Sequence, residues 1–276
     1  MLTLGVDLTG AFRAVIVNES GAVAAREQGH QADVLKHLTR NTRIEAVGVV
    51  IPEGREPEMA IGIAGAPVTR CSPGSAAVAA EAWIGEAQGA KHAVCLSIGE
   101  QVYAGLLLDG RVWSGAHNRA GAAAWLALNP VERQDYRKLG SLAAEVAFRG
   151  IARRLSWRVQ AGDESAVLES AGELDAITAA HVFDGARNGD GVAISVVRDT
   201  AKYIGMAVAN LAATIDPEVV VISGDIAAAK DLLLEPVLQE CARRLPTATM
   251  DQLRIGFSAL GGDSVAIGAA RLAMSI

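Results

Sequence analysis

The sequence predicts a two-lobed α/β fold with a cleft between the lobes. Strand-like runs and a hairpin signal crowd the first 113 residues, the pattern turns helical from about residue 119, and short buried strands recur inside the helical half at 219–222 and 253–257. Strands first, then helices interleaved with buried strands, is the order of layered α/β units. It places residues 1–114 together with 262–276 in a smaller lobe and 115–261 in a larger helical lobe.

The elements follow in order. Leu2, Leu4 and Val6 alternate with smaller residues, Ala14 to Val17 is a second apolar run, and Asn18-Glu19-Ser20-Gly21 is turn chemistry before a third strand at 22–25. Asp7-Leu8-Thr9-Gly10 is then a tight loop between two strands. Residues 31–39 suit a short helix, and the continuous apolar run 44–51 reads as a buried parallel strand. A polar, Pro-containing stretch, 52–60, leads to an apolar run ending at Cys71. Ser72-Pro73-Gly74-Ser75 precedes an Ala-rich helix over roughly 75–88, where a serine can cap the first turn. Strands at 93–98 and 102–108 flank Gly99-Glu100-Gln101, and Asp109-Gly110 marks a hairpin. Helices are expected at 119–127, 139–155, 163–171, 174–188, 193–214, 227–244 and 262–274.

Composition sets limits. The 276 residues are 51% hydrophobic and 20% charged, which supports a core and excludes a disordered chain. The net charge of −6 leaves no basic surplus for phosphate backbones, so nucleic acid is not an expected partner. Cys71, Cys95 and Cys241 form no CxxC pair, and their odd number argues for a reducing, cytoplasmic setting. The start, with Asp7 so early, is not that of a signal peptide, and no apolar run of about 18 residues suggests a membrane span.

Several stretches have a family resemblance: AGLLLDGRVWSGAHNRAGA at 104–122, HVFDGARNGD at 181–190, YIGMAVANLAATIDPEVVVISGD at 203–225 and LGGDSVAIGAA at 260–270. Together they resemble the ROK family, which unites bacterial sugar kinases with sugar-responsive repressors on the actin-like, ribonuclease H-like ATPase fold. The resemblance runs nearly end to end. Strand pattern starts at Thr3, so the family's DNA-binding helix-turn-helix is not expected in this chain.

The resemblance implies an ATP site with Mg²⁺, and residues can be placed in it. The first phosphate loop, Asp-x-Gly-Gly-Thr in the family, reads Asp7-Leu8-Thr9-Gly10-Ala11, so Asp7 is placed to orient Mg²⁺ while Ala11 lacks the phosphate-binding hydroxyl. Asp7 is equally suited to capping a turn. The second loop keeps Gly99 and Gly105, but Glu100 replaces a hydroxyl and Tyr103 stands where the family has glycine. Ser223-Gly224-Asp225, between a buried strand and a helix, suits the nucleotide side, or serves as an ordinary turn.

The sugar side departs further. The family's Asn-Asp-Ala-Asn falls on Ser72-Pro73-Gly74-Ser75, so Pro73 stands in the position of the catalytic base, and no aspartate lies between Arg55 and Asp109. Ala122 and Trp125 stand in the positions of the sugar-binding Glu and His. Trp125 could stack on a ligand or sit in the core. Residues 126–140 hold no Cys or His, so the family's zinc is not expected. Glu81 and Glu86 read as surface charges on a helix, and His117 as an isolated loop histidine. Ser72 and Ser75 would still line a cleft able to take a sugar or an anion.

Losing a positioned base costs ~10²–10⁴ in rate. The sequence therefore predicts a sugar-kinase homologue with lost or impaired phosphoryl transfer that binds a ligand or regulates. The alternatives are a divergent ATP-dependent sugar kinase of the glucokinase or N-acetylhexosamine kinase type, and different chemistry on the same fold. A homodimer is expected from the family.

Overall fold

The computed structural model describes the chain except residues 11, 41, 52–64 and 275–276. Ala11 and the polar, Pro-containing stretch 52–60 fall outside the described residues. Two five-stranded sheets share one plan. The first holds β1 (Leu2–Asp7), β2 (Arg13–Asn18), β3 (Val23–Gln28), β4 (Ala46–Val50) and β5 (Val68–Cys71) in the order β3-β2-β1-β4-β5. The second holds β6 (Ala93–Ile98), β7 (Val102–Leu108), β8 (Arg111–Val112), β9 (Val219–Ser223) and β10 (Arg254–Phe257) in the order β10-β9-β6-β7-β8. In each, a three-strand antiparallel meander is followed by two parallel strands beside its first strand. No short-period repeat in the sequence announces this likeness.

The sheets divide at a different place from the expected lobe boundary. Residues 93–112 belong to the second sheet, because β6 pairs in parallel with β9 rather than with the first meander. Two helices bridge the sheets. α2 (Pro73–Ile84) runs from β5 to β6, and α11 (Ser264–Ala273) follows β10 and packs on β1, β2 and β4. α2 is buried from Gly74 through Glu81, and the two helices pack on each other. Small residues permit that closeness: a Cβ on Gly5 or Gly48 would meet the carbonyl of Ala266 or Ala269 on α11 at 1.8 or 1.9 Å. The chain's abundance of Ala and Gly is thus a packing feature.

α1 (Gln31–Thr39) covers β2 and β3. Against the second sheet stand α4 (Ser141–Val146), α5 (Phe148–Gln160), α7 (Ala179–Arg187), α8 (Gly191–Ile215) and α9 (Lys230–Ala242), around a core that includes Leu142, Ile151, Leu155, Ile204, Ile222 and Leu233. The short α3 (Gln134–Leu139), α6 (Ala166–Ala171) and α10 (Thr247–Gln252) complete the layer.

Several expected helices are shorter. Only a 3₁₀ turn at Ala123–Trp125 forms within 119–127, where Gly121 sits at φ 81°. The 139–155 run breaks at Ala147, which is extended (φ −64°, ψ 152°). The 174–188 run is a 3₁₀ turn at Leu174–Ala176 and then α7, whose Thr178 cap forms a capping box with His181. Among the described residues no helix is long and apolar enough to cross a membrane.

Candidate functional site

Because the sheets repeat one plan, corresponding strand ends face each other. The β1–β2 turn, the β6–β7 turn, the end of β9 and the N-terminus of α11 enclose a cavity of about 200 Å³. It brings together Asp7, Thr9, Gly10, Gly99, Gly224 and Asp225, six of the seven residues expected around phosphate. Gln101 Nε2 donates to the Thr9 carbonyl at 3.3 Å, which joins the two turns.

Asp7 caps its turn and also lines the cavity. Its Oδ1 accepts from the Thr9 N–H (2.8 Å) and hydroxyl (2.7 Å), a local turn cap, while the residue lines the cavity. Burial pushes its carboxyl above the usual range, and the two Thr9 hydrogen bonds oppose that rise. The carboxylate of Asp225 is near enough to raise it further. Such a pair fits a hydrated divalent cation between carboxylates. Gly224 takes φ +81°, and a Cβ there would meet the Ile98 carbonyl at 2.6 Å, so this junction needs glycine on both conformational and steric grounds. Gly10 has nothing within 4 Å of a hypothetical Cβ, which leaves open space at the mouth of the first loop.

Gly105 is corrected. It is not in the cavity wall but beneath α2: a Cβ on it would meet the Gly74 carbonyl at 1.9 Å, and one on Gly74 would meet the Ala104 carbonyl at 1.9 Å. Its glycine character seats the helix on β7. Tyr103 does line the cavity, opposite Ser97 across the strands. Burial pushes its phenol up, against a hydrogen bond with Ser97 that lowers it, so it is a neutral hydroxyl. Arg13 and Gln28 also line the cavity and went unnoticed in the sequence. Arg13 stands opposite Asp7 in the β1–β2 register, which the hairpin reading could have shown. Its guanidinium is tied to the Gly262 carbonyl and lies 3.8 Å from Asp263.

Pro73 is the first residue of α2, the helical position that best tolerates proline. Ser72 is the helix cap, accepting from the Ser75 N–H at 3.2 Å and donating to the Ser75 hydroxyl at 2.9 Å. Ser72 and Ser75 thus satisfy each other, and both lie outside the 200 Å³ cavity. Cys71 beside them is no replacement base, because burial, helped by Asp7, pushes its thiol up to about 12. Trp125 also lies outside that cavity, and it is no core residue: it is 55% exposed at the end of its 3₁₀ turn. Among the described residues no cluster of three or more His, Cys, Asp or Glu is placed to hold a metal.

Glu81 overturns its reading as a surface charge. It is fully buried, accepts from the Ser258 hydroxyl and from the Glu86 N–H (3.0 Å), and burial drives its carboxyl well up. It ties α2 to the segment after β10, so the two connections between the sheets meet at this carboxyl. A glutamate on an Ala-rich helix gives no sequence sign of that.

The ROK family model matches residues 73–276. A glucokinase from Halalkalibacterium halodurans is 30% identical over 204 residues, covering 73% of this chain and 62% of the relative. A xylose repressor from Caldicellulosiruptor bescii is 26% identical over 215 residues, covering 76% and 52%. These matches therefore span less than two thirds of either relative's length. The structure of a ROK glucokinase from Streptomyces griseus, in complex with glucose and AMPPNP, superposes with a TM-score of 0.82 over the whole of both chains at 22% identity. A ROK transcriptional regulator, a homologue of the Escherichia coli MLC protein, reaches 0.82 at 22% identity over 99% of this chain and 78% of its own. The chain is a member of the ROK family, with the family's two-lobed, actin-like α/β fold.

Proposed function

We propose that this ROK-family chain binds a small polar ligand, a sugar or an anion, in the cleft between its lobes and regulates or senses through it, without phosphorylating a sugar. One observation carries the reading: the base position is Pro73, locked as the first residue of α2, flanked by Ser72 and Ser75 that hydrogen-bond to each other. A proline ring can accept no proton. Cys71 is held as a thiol, Asp7 is engaged with Thr9, and Glu81 faces Ser258. The loss of a positioned base, ~10²–10⁴ in rate, adds to the loss of hydrogen bonds at Ala122 and Trp125, each worth roughly 0.5–1.5 kcal/mol.

A second reading, a divergent ATP-dependent sugar kinase, is favoured by the phosphate side. Asp7, Thr9, Gly10, Gly99, Gly224 and Asp225 converge, and the two carboxylates suit hydrated Mg²⁺. If nucleotide binds, Asp7 and Asp225 would anchor the cation, which would supply charge neutralisation of the phosphates. The cavity, about 200 Å³, holds a phosphate-sized group but is smaller than the roughly 300 Å³ at which whole-ligand pockets begin, so a nucleotide requires the lobes to part. The working setting under either reading is the cytoplasm, as a homodimer. Calorimetric titration with ATP, with and without Mg²⁺, and separately with hexoses, tests the choice. The proposal expects sugar or anion binding that does not depend on ATP. Tight Mg²⁺-dependent ATP binding that strengthens sugar binding would favour the kinase.

A further inference from the structure

A larger cavity, about 710 Å³, lies within the helical layer among α5, α8 and the segments beside them, and shares no residue with the cleft. Its charge runs against that of the chain. The protein carries −6, yet this wall holds Arg133, Arg154, Arg158, Lys202 and Arg244. Two of these are neutralised locally: Arg158 by Asp163 and Arg244 by Glu240, each at 2.6 Å.

The others are short of counter-charge. Arg133 pairs with Asp135 (2.6 Å) and Glu145 (2.9 Å), Arg153 with the same Asp135 (2.8 Å), and Arg154 with the same Glu145 (3.7 Å). Three guanidinium groups thus share two carboxylates. Arg154 is only 12% exposed; its Nη2 donates to the Glu145 carbonyl and to Thr200, while its Nε and Nη1 have no hydrogen-bond acceptor among the described residues. A buried guanidinium with two such nitrogens is unusual, because unmet donors in low dielectric are costly. Lys202 stands exposed at the rim with no hydrogen bond or ion pair among the described residues, and Asp199, the one further carboxylate in the wall, acts on Arg154 through its charge rather than by a hydrogen bond. Val196 and Met206 supply an apolar side.

Excess positive charge beside an apolar wall suits a dianion on an organic body. The volume exceeds what a bare ion needs. We propose that this cavity is a second ligand site, separate from the cleft, for a small phosphate monoester, its dianion facing Lys202 and drawn by the under-compensated Arg154 at the wall.

The experiment is calorimetric titration of the full chain with glycerol 3-phosphate and, separately, inorganic phosphate. The expected result is one-to-one binding of glycerol 3-phosphate that weakens about tenfold or more in Lys202→Ala, the loss of one charge-assisted hydrogen bond. Thr9→Val, which alters the cleft, should leave it unchanged. Lys202 is exposed and has no partner among the described residues, so its removal does not threaten the fold. Three results would each overturn the proposal: no glycerol 3-phosphate binding at about 10 mM, binding unchanged by Lys202→Ala, or binding weakened as much by Thr9→Val. Binding of inorganic phosphate alone would overturn the assignment to a monoester.

Discussion

Gly105→Ala probes how α2, and with it Pro73, is seated on β7. The added Cβ would sit 1.9 Å from the Gly74 carbonyl oxygen and 2.8 Å from Val78 Cβ. Against an ordinary contact of 3.4 Å, the first distance is short by about 1.5 Å. Both partners are backbone or a branched side chain, so no flexible tip can swing away. The helix must move off β7, an overpacking that costs ~1–3 kcal/mol. For a chain of this size each kcal/mol lowers the melting midpoint by roughly 2–4 °C. Urea denaturation and a thermal melt should therefore show Gly105→Ala clearly destabilised. Gly10→Ala is the control: it has space around it and no positive φ, and should change stability by less than about 0.5 kcal/mol. Equal melting points for Gly105→Ala and the parent would refute the assignment of Gly105 to packing rather than to phosphate.

Glu81 should make stability fall with rising pH. Burial raises its folded pKa above the ordinary 4.5, so its contribution is fully present below the unfolded pKa and is lost as pH rises through the folded value. Glu81→Gln cannot ionise; its urea midpoint should gain on the parent's as pH rises, and an unchanged difference would count against the burial of this acid. Gly224→Ala, at φ +81° with Ile98 O 2.6 Å from the new Cβ, should lose ~1–3 kcal/mol in urea denaturation. Pro73→Asp should fold normally, since an acidic first-turn residue suits the helix N-terminus. It should still show no hexose-dependent ADP release, because Ala122 and Trp125 remain. Turnover in that variant would mean that the sugar is held without those two positions.

The fold was legible where hydrophobic patterning is strong. β1, β2, β4, β6, β7, β9 and the long α8 follow from apolar runs and turn chemistry. The helical stretch 119–127 misled because Ala-rich composition favours helix, while Gly121 and the contacts of its neighbours hold the chain in a turn. Membership of β6–β8 in the second sheet is a long-range pairing with β9, 120 or more residues away, which local pattern cannot show. At the site, the family resemblance named Asp7, Thr9, Gly10, Gly99, Gly224 and Asp225, which the fold brings to one cavity; loop chemistry alone marked them only as turns. Gly105 was misplaced because a glycine kept for helix packing looks, in sequence, like one kept for an anion. Glu81 was missed because nothing local distinguishes a buried glutamate from an exposed one on an amphipathic or Ala-rich helix.

The central claim is that Pro73 leaves this ROK-family chain without phosphoryl transfer to a sugar. The direct measurement is ADP release from MgATP by the purified protein with a panel of hexoses and N-acetylhexosamines, in a coupled assay run beside an enzyme-free control. The account predicts no sugar-dependent release above the control. Sustained sugar-dependent turnover that Asp7→Ala abolishes would contradict it and make the chain a kinase with a base other than residue 73.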